Sequence, residues 1–206
     1  MLFPPRCSIC STVIYRESNG CCDVCRRIFS LTDAQNTVNL GDITGYSCFS
    51  YADKLRISLD TFKFHGKIEY ADFYASEMVA LLCKKNITAE QLTSVVYIPM
   101  PLERELGRGY NQSKVLAERI AESLGLPCSD GGLARQNILM QHDLNKSMRQ
   151  KQRSSGFALE KMGIIKGNVL LVDDICTTGN TLKSCAGLLQ EGGAKNIIAI
   201  TAAKLI

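Results

Sequence analysis

The stretch best suited to chemistry runs Val169-Leu-Leu-Val-Asp173-Asp174-Ile175-Cys176-Thr177-Thr178-Gly179-Asn180-Thr181. Four apolar residues, half of them β-branched, fit a strand buried on both faces. Two carboxylates follow at its end, and then a loop of small hydroxyl residues around a glycine. In an open α/β sheet, ligands bind outside the carboxyl ends of the strands, so these polar groups fall where a site belongs. Loop N–H groups and the hydroxyls of Thr177, Thr178 and Thr181 suit a phosphate at the start of the next helix. Paired acids beside a phosphate make sense only if the ligand also brings hydroxyls for them to accept from, or a divalent cation. A phosphorylated, hydroxyl-bearing sugar meets both conditions.

A second chemistry is written in the cysteines. The chain has ten, and four form two C-x-x-C knuckles, Cys7-Ser-Ile-Cys10 and Cys22-Asp-Val-Cys25, with eleven residues between them. Four thiolates on two tight turns suit tetrahedral Zn2+ in a closed, structural site. Such a site would add folding energy to a module too short for a core of its own. Cys21 competes with Cys22 for one ligand position, although the two-residue spacing favours Cys22. Cys48, Cys83, Cys128, Cys176 and Cys185 are scattered, and most read as packing residues; Cys176 is the exception by position, a variable side chain inside the hydroxyl-rich loop with no feature that marks it as a nucleophile.

Two further clusters are basic. Between a strand at Thr93–Ile98 and a helix at Asn111–Leu124, the segment 98–112 reads as a loop carrying Arg104, Arg108 and two glycines. Glycines permit close backbone approach, and arginines suit phosphate or pyrophosphate oxygens. The segment Gly131–Phe157 holds Arg135, Gln141, His142, Lys146, Arg149, Lys151 and Arg153 with few acids. Its chemistry is that of a cationic lid or of a patch for nucleic-acid phosphates.

The elements that must position these groups alternate. Strands are expected at Tyr46–Tyr51, Thr93–Ile98, Gly167–Val172 and Asn196–Ala202. Helices are expected at Lys54–His65, Glu69–Lys85, Asn111–Leu124 and Thr181–Gln190. Leu55, Leu59 and Phe62 mark the buried face of the first helix. Ala71, Tyr74, Ala75, Met78, Leu81 and Leu82 mark that of the second, with the Tyr74 hydroxyl at its edge. Alternating strands and helices predict an α/β fold with a parallel sheet and right-handed crossovers. Residues 1–30 form the four-cysteine zinc-ribbon module, 31–45 a linker or transition, and 46–206 the main domain.

The chain has 206 residues, 46% hydrophobic and 21% charged, with net charge +4. That describes a globular protein with a sizeable core, mildly basic and compatible with phosphate ligands or nucleic acid. No apolar run suffices to cross a bilayer, and no signal-peptide pattern opens the sequence, so the expectation is a cytoplasmic protein without membrane insertion.

Val169–Thr181 resembles the thirteen-residue phosphoribosyl pyrophosphate (PRPP) motif of type I phosphoribosyltransferases. The resemblance implies that Asp173 and Asp174 hold the ribose hydroxyls and that Ile175–Thr181 wraps the 5′-phosphate. It also implies that the segment around Arg104 and Arg108 is the pyrophosphate-side loop. The order of segments extends the likeness over nearly the whole chain: the paired C-x-x-C, Phe62-Lys-Phe-His-Gly66, Arg108-Gly-Tyr-Asn-Gln112, Gln141-x-x-Leu144 with Arg149, and then the PRPP motif. This order resembles the ComF family, phosphoribosyltransferase-like proteins associated with competence and DNA uptake. The sequence departs from the family pattern at Ile138, Gln152 and Asn180. The resemblance implies structural Zn2+, Mg2+ accompanying PRPP, and possible transfer of a phosphoribosyl group to an acceptor the sequence does not specify. The alternative it leaves open is a non-catalytic adaptor for single-stranded DNA or for competence proteins of the uptake machinery.

Overall fold

A computed structural model describes residues 4–15, 20–135, 156–160 and 165–206. Helices α1 (Asp23–Phe29), α2 (Asp53–Phe64), α3 (Tyr70–Lys84), α4 (Leu102–Arg108), α5 (Gln112–Leu124) and α6 (Asn180–Glu191) surround the strands. Six strands form the main sheet in the order β1 (Thr37–Asn39), β2 (Thr44–Ser50), β8 (Ala194–Lys204), β7 (Gly167–Cys176), β3 (Ser94–Tyr97) and β4 (Cys128–Ser129). Every pairing from β2 to β4 is parallel, and β1 joins the β2 edge antiparallel. The expected α/β architecture is present, as a mixed sheet rather than a purely parallel one.

The central strand is buried on both sides, which accounts for its unbroken apolar run. Leu170 and Val172 join the core beneath α3 and α5, and Val169 and Leu171 join the core beneath α6. The helical faces read from the sequence are the buried ones: Leu55, Leu59 and Phe62 on α2, and Ala71, Tyr74, Ala75, Met78, Leu81 and Leu82 on α3. Full burial of each large side chain contributes about 1.5–3 kcal/mol. The Tyr74 hydroxyl departs from expectation. It lies inside the core and meets Ser58 Oγ at 2.6 Å, and Ser58 in turn donates to the Ser8 carbonyl at 2.5 Å.

That contact reaches the cysteine module. Cys7, Ile9, Ile14, Cys21, Cys25 and Phe29 belong to the same core cluster as Phe49, Leu55, Leu59, Phe73 and Tyr74. Arg26 meets Glu77 of α3 at 2.9 Å. The module therefore shares the core of the main domain. Within residues 31–45, Thr37–Asn39 form β1 and hydrogen-bond into the sheet.

Two small strands, β5 (Leu133–Arg135) and β6 (Phe157–Leu159), pair antiparallel and bring the two ends of the basic segment together. Arg135 stacks 4.2 Å from the centre of the Phe157 ring.

Candidate phosphoribosyl site and cysteine centre

The chain after β7 runs into α6 on one face of the sheet, and the chain after β3 runs into α5 on the other. Neighbouring parallel strands whose connections diverge in this way leave a crevice at their carboxyl ends. The 173–181 segment lies there. The strand runs further than the apolar pattern suggests. Asp173 pairs in register with Thr201, and Ile175 and Cys176 pair with Ala203 and Lys204, so both acids are mounted on the ladder itself. Rigid strand backbone fixes them more firmly than a loop would.

Beyond Cys176, residues Thr177 to Leu182, together with Asp173, Ile175 and Cys176, line a solvent-open cradle of about 200 Å3. Gly179 is the N-cap of α6 with φ +75°, and it offers no side-chain oxygen to the first turn. First-turn N–H groups have no acceptor within their own helix, so those of Thr181 and Leu182 suit an anion, while the Asn180 N–H reaches Thr178 Oγ1 at 3.4 Å. A Cβ on Gly179 would come within 2.6 Å of Leu40 Cδ2, which is the close approach that calls for glycine here. Thr177 and Thr178 are exposed at the rim, with Asn180 beside them and Thr181 half-buried. Cys176 is buried and its thiol is pushed up by burial, so it forms part of the cradle wall.

Each acid is held by one side chain from another element. Ser113 Oγ donates to Asp173 Oδ1 at 2.6 Å, and the Asp174 N–H donates to the same oxygen at 2.9 Å. Lys63 Nζ lies 2.9 Å from Asp174 Oδ2, with side-chain exposures of 16% and 13%. Asp173 Oδ2 and Asp174 Oδ1 take no hydrogen bond or ion pair from the described residues. Two carboxylates, each with one oxygen fixed and one available, are arranged to accept from a pair of adjacent hydroxyls. Burial first, and the Asp174 charge second, push the Asp173 carboxyl well above the usual carboxylate range.

Lys63 and Ser113 were not among the residues singled out by type and spacing. Lys63 sits in the last turn of α2, where a lysine ordinarily complements the helix dipole, and Ser113 sits in the first turn of α5. The only signal for either was its place in or beside the two segments that carry the family resemblance.

The Arg108–Gln112 segment differs from expectation. Residues 102–108 form α4 rather than an open loop, closed by Gly109 at φ +86°. The side chains that follow grip the end of α2. Tyr110 donates its hydroxyl to the Phe62 carbonyl, and Gln112 Nε2 donates to the Lys63 carbonyl at 3.3 Å. The Arg108 guanidinium stacks 4.5 Å from the Phe64 ring centre and donates to Gln112 Oε1 at 3.0 Å. Asn111 accepts from the Ser113 N–H as the N-cap of α5 and donates to the Ile98 carbonyl. Arg104 lies on the exposed side of α4. Gln141, His142 and Arg149 lie outside the described residues.

At the N-terminus, Cys7, Cys10, Cys22 and Cys25 place their sulfurs within 4.8 Å of one another. Cys10 Sγ and Cys22 Sγ are 3.7 Å apart. For sulfurs at about 2.3 Å from a tetrahedral zinc, the edge of the tetrahedron is about 3.8 Å. The Cys22 N–H points to Cys7 Sγ at 3.4 Å and the Cys25 N–H to Cys22 Sγ at 3.5 Å. The cluster can therefore hold a metal ion. Cys21 is buried outside it, with its thiol on the Cys22 carbonyl.

The fold and site define a phosphoribosyltransferase-like α/β protein, and the phosphoribosyl transferase domain family matches residues 112–204. Competence protein ComFC of Streptococcus pneumoniae is 26% identical over 202 residues, which cover 93% of this chain and 84% of that one. Competence protein ComFC of Bacillus subtilis is 28% identical over 159 residues, covering 75% of this chain and 62% of that one. DNA utilization protein YhgH of Salmonella typhimurium is 27% identical over 154 residues, covering 73% and 67%. Over most of its length the chain is similar to these competence and DNA utilization proteins. Among the described residues, no helix is long and apolar enough to cross a membrane.

Proposed function

We propose that this protein binds PRPP or a closely related phosphoribosyl ligand in the service of DNA utilization or competence, in the cytoplasm. The observation that carries the reading is the pairing of Asp173 and Asp174, each anchored through one oxygen, with the N–H cradle of α6. In this reading Asp173 and Asp174 accept from the 2′- and 3′-hydroxyls. Residues 175–181 hold the 5′-phosphate, and C1′ faces the crevice between β3 and β7.

The acid pair suits a hydrated Mg2+ through bridging hydroxyls or waters, and the ion's part would be to offset the charge of a departing pyrophosphate. Arg104, Arg108 and Arg149 are the candidate pyrophosphate-side and lid cations. Transfer to an acceptor would proceed with oxocarbenium character at C1′, so positioning and charge, rather than a covalent nucleophile, would carry the rate. The cysteine cluster is assigned to structural Zn2+ on its donor set and sulfur spacing. A second reading, a DNA-handling adaptor without turnover, draws support from the names of the relatives, which speak of competence and DNA utilization.

Calorimetric titration with PRPP and Mg2+ tests the site, and pyrophosphate release in the presence of bases, amines or single-stranded DNA tests turnover. Binding abolished by Asp173→Asn with Asp174→Asn, together with pyrophosphate release, supports a transferase. Binding without release under any acceptor selects the adaptor. No binding by the wild-type chain removes the site assignment.

A further inference from the structure

Lys63 is the cation in direct contact with the acid pair among the described residues. Its contact differs from an ordinary surface ion pair in two ways. Both side chains are largely buried, at 16% and 13% exposure, whereas exposed pairs hold long side chains loosely and contribute little. The backbone beneath Lys63 is also clamped. Phe62, Lys63 and Phe64 are each engaged by one residue of the 108–112 segment: Tyr110 on the first carbonyl, Gln112 on the second, and Arg108 on the third ring. The same short segment delivers Ser113 to Asp173. One stretch of chain therefore fixes both partners of the acid pair.

The charge balance gives the clamp a purpose. Two adjacent carboxylates beside an incoming phosphate concentrate negative charge, and a divalent cation is the usual relief. Here an ammonium held on Asp174 supplies part of it from within the protein. We propose that Lys63 is a positioning residue of the phosphoribosyl site, holding Asp174 for the ribose and providing the positive charge that lets a 5-phosphorylated ribose bind without a divalent cation. The inference rests on the phosphoribosyl reading above and sharpens it. A ribose 5-phosphate end is bound metal-free, and Mg2+ matters for the pyrophosphate alone.

The test is calorimetric titration of the full chain with ribose 5-phosphate, in EDTA and in Mg2+. For the wild type the two affinities should agree within about threefold. Lys63→Gln should weaken binding by about tenfold or more in EDTA, the cost of losing a charged hydrogen-bonding partner, and Mg2+ should restore much of the loss. Lys63→Arg should retain binding in EDTA. Purely structural damage would weaken binding equally in both buffers, so an equal loss in Lys63→Gln overturns the proposal. A wild type that binds ribose 5-phosphate only with Mg2+ overturns it too, while leaving the site reading intact. That wild-type comparison and Lys63→Arg decide the matter even if Lys63→Gln fails to fold. A wild type that binds ribose 5-phosphate in neither buffer defeats both the proposal and the reading beneath it.

Discussion

The Tyr110 hydroxyl donates to the backbone carbonyl of Phe62, so a residue 48 positions later in the chain caps the last turn of α2. Carbonyls at a helix C-terminus lack an acceptor's partner within the helix and must find one elsewhere. Tyr110 is almost fully buried, so its removal leaves that carbonyl without water as a substitute. Tyr110→Phe should lower unfolding free energy by about 1–2 kcal/mol, measured by urea denaturation. It should also weaken ribose 5-phosphate binding, because the turn it caps carries Lys63.

The Asp173 carboxyl, pushed up to about 7 chiefly by burial and then by Asp174, predicts a pH dependence with two opposite signs. In the unfolded chain it ionises near pH 4, at about the ordinary value. Between these values the folded state holds the extra proton, so this group's contribution to stability falls as pH rises from about 4 to about 7 and is level above that. Ligand binding runs the other way, since the carboxylate accepts from a hydroxyl and strengthens as the proton leaves. Thermal melts and calorimetry from pH 5.5 to 8.5 on wild type and Asp173→Asn check both signs; the asparagine variant should flatten each.

Ser58 joins the first cysteine turn to the core through the Ser8 carbonyl and the Tyr74 hydroxyl. Ser58→Ala strands two buried polar groups and should cost about 1–3 kcal/mol. Because Ser8 lies between Cys7 and Cys10, the same change should speed metal loss from the loaded protein to a chelator. Tyr74→Phe leaves the Ser58–Ser8 bond in place and should affect metal loss less.

The sulfur geometry distinguishes Cys21 from its neighbour. Metal analysis of reduced, dialysed protein should give about one zinc per chain in the wild type and in Cys21→Ser, and well under one in Cys22→Ser. A wild type without metal, or an equal loss in both variants, contradicts the assignment of ligands.

Gly179 adopts φ +75° against Leu40. Gly179→Ala places a Cβ in the left-handed region, at a cost of about 1–2 kcal/mol, and pushes it into the Leu40 side chain. The expected result is a lower melting temperature and weaker phosphate binding, read by thermal denaturation and by ribose 5-phosphate titration.

Local order alone reveals much of this molecule. The apolar run of β7 can bury both its faces only in a parallel sheet, and the Leu55, Leu59 and Phe62 spacing can serve only a helix. Each C-x-x-C knuckle brings two sulfurs together because the turn is short, and two such pairs make a four-sulfur site the natural reading. In each case the pattern itself repeats within a few residues, so its spacing carries the information even where the partners are distant. The Asp173-Asp174 pair and the Thr177–Thr181 loop were legible as a candidate site for the same reason.

The tertiary structure decided what those groups face. Nothing local indicates that Lys63 reaches Asp174 across 111 positions (174 minus 63) or that Ser113 reaches Asp173 across 60. A lysine in a last helical turn and a serine in a first one are ordinary where they stand. Arg108 reads as part of a basic, glycine-lined loop for phosphate, yet its contacts, with those of Tyr110 and Gln112, go to the end of α2. The sequence by itself determined the strand, the acids, the hydroxyl-rich loop and the four thiols. Only the fold, by bringing the ends of α2 and α5 to the crevice between β3 and β7, decided that the acids are held in place from two sides, one of them cationic.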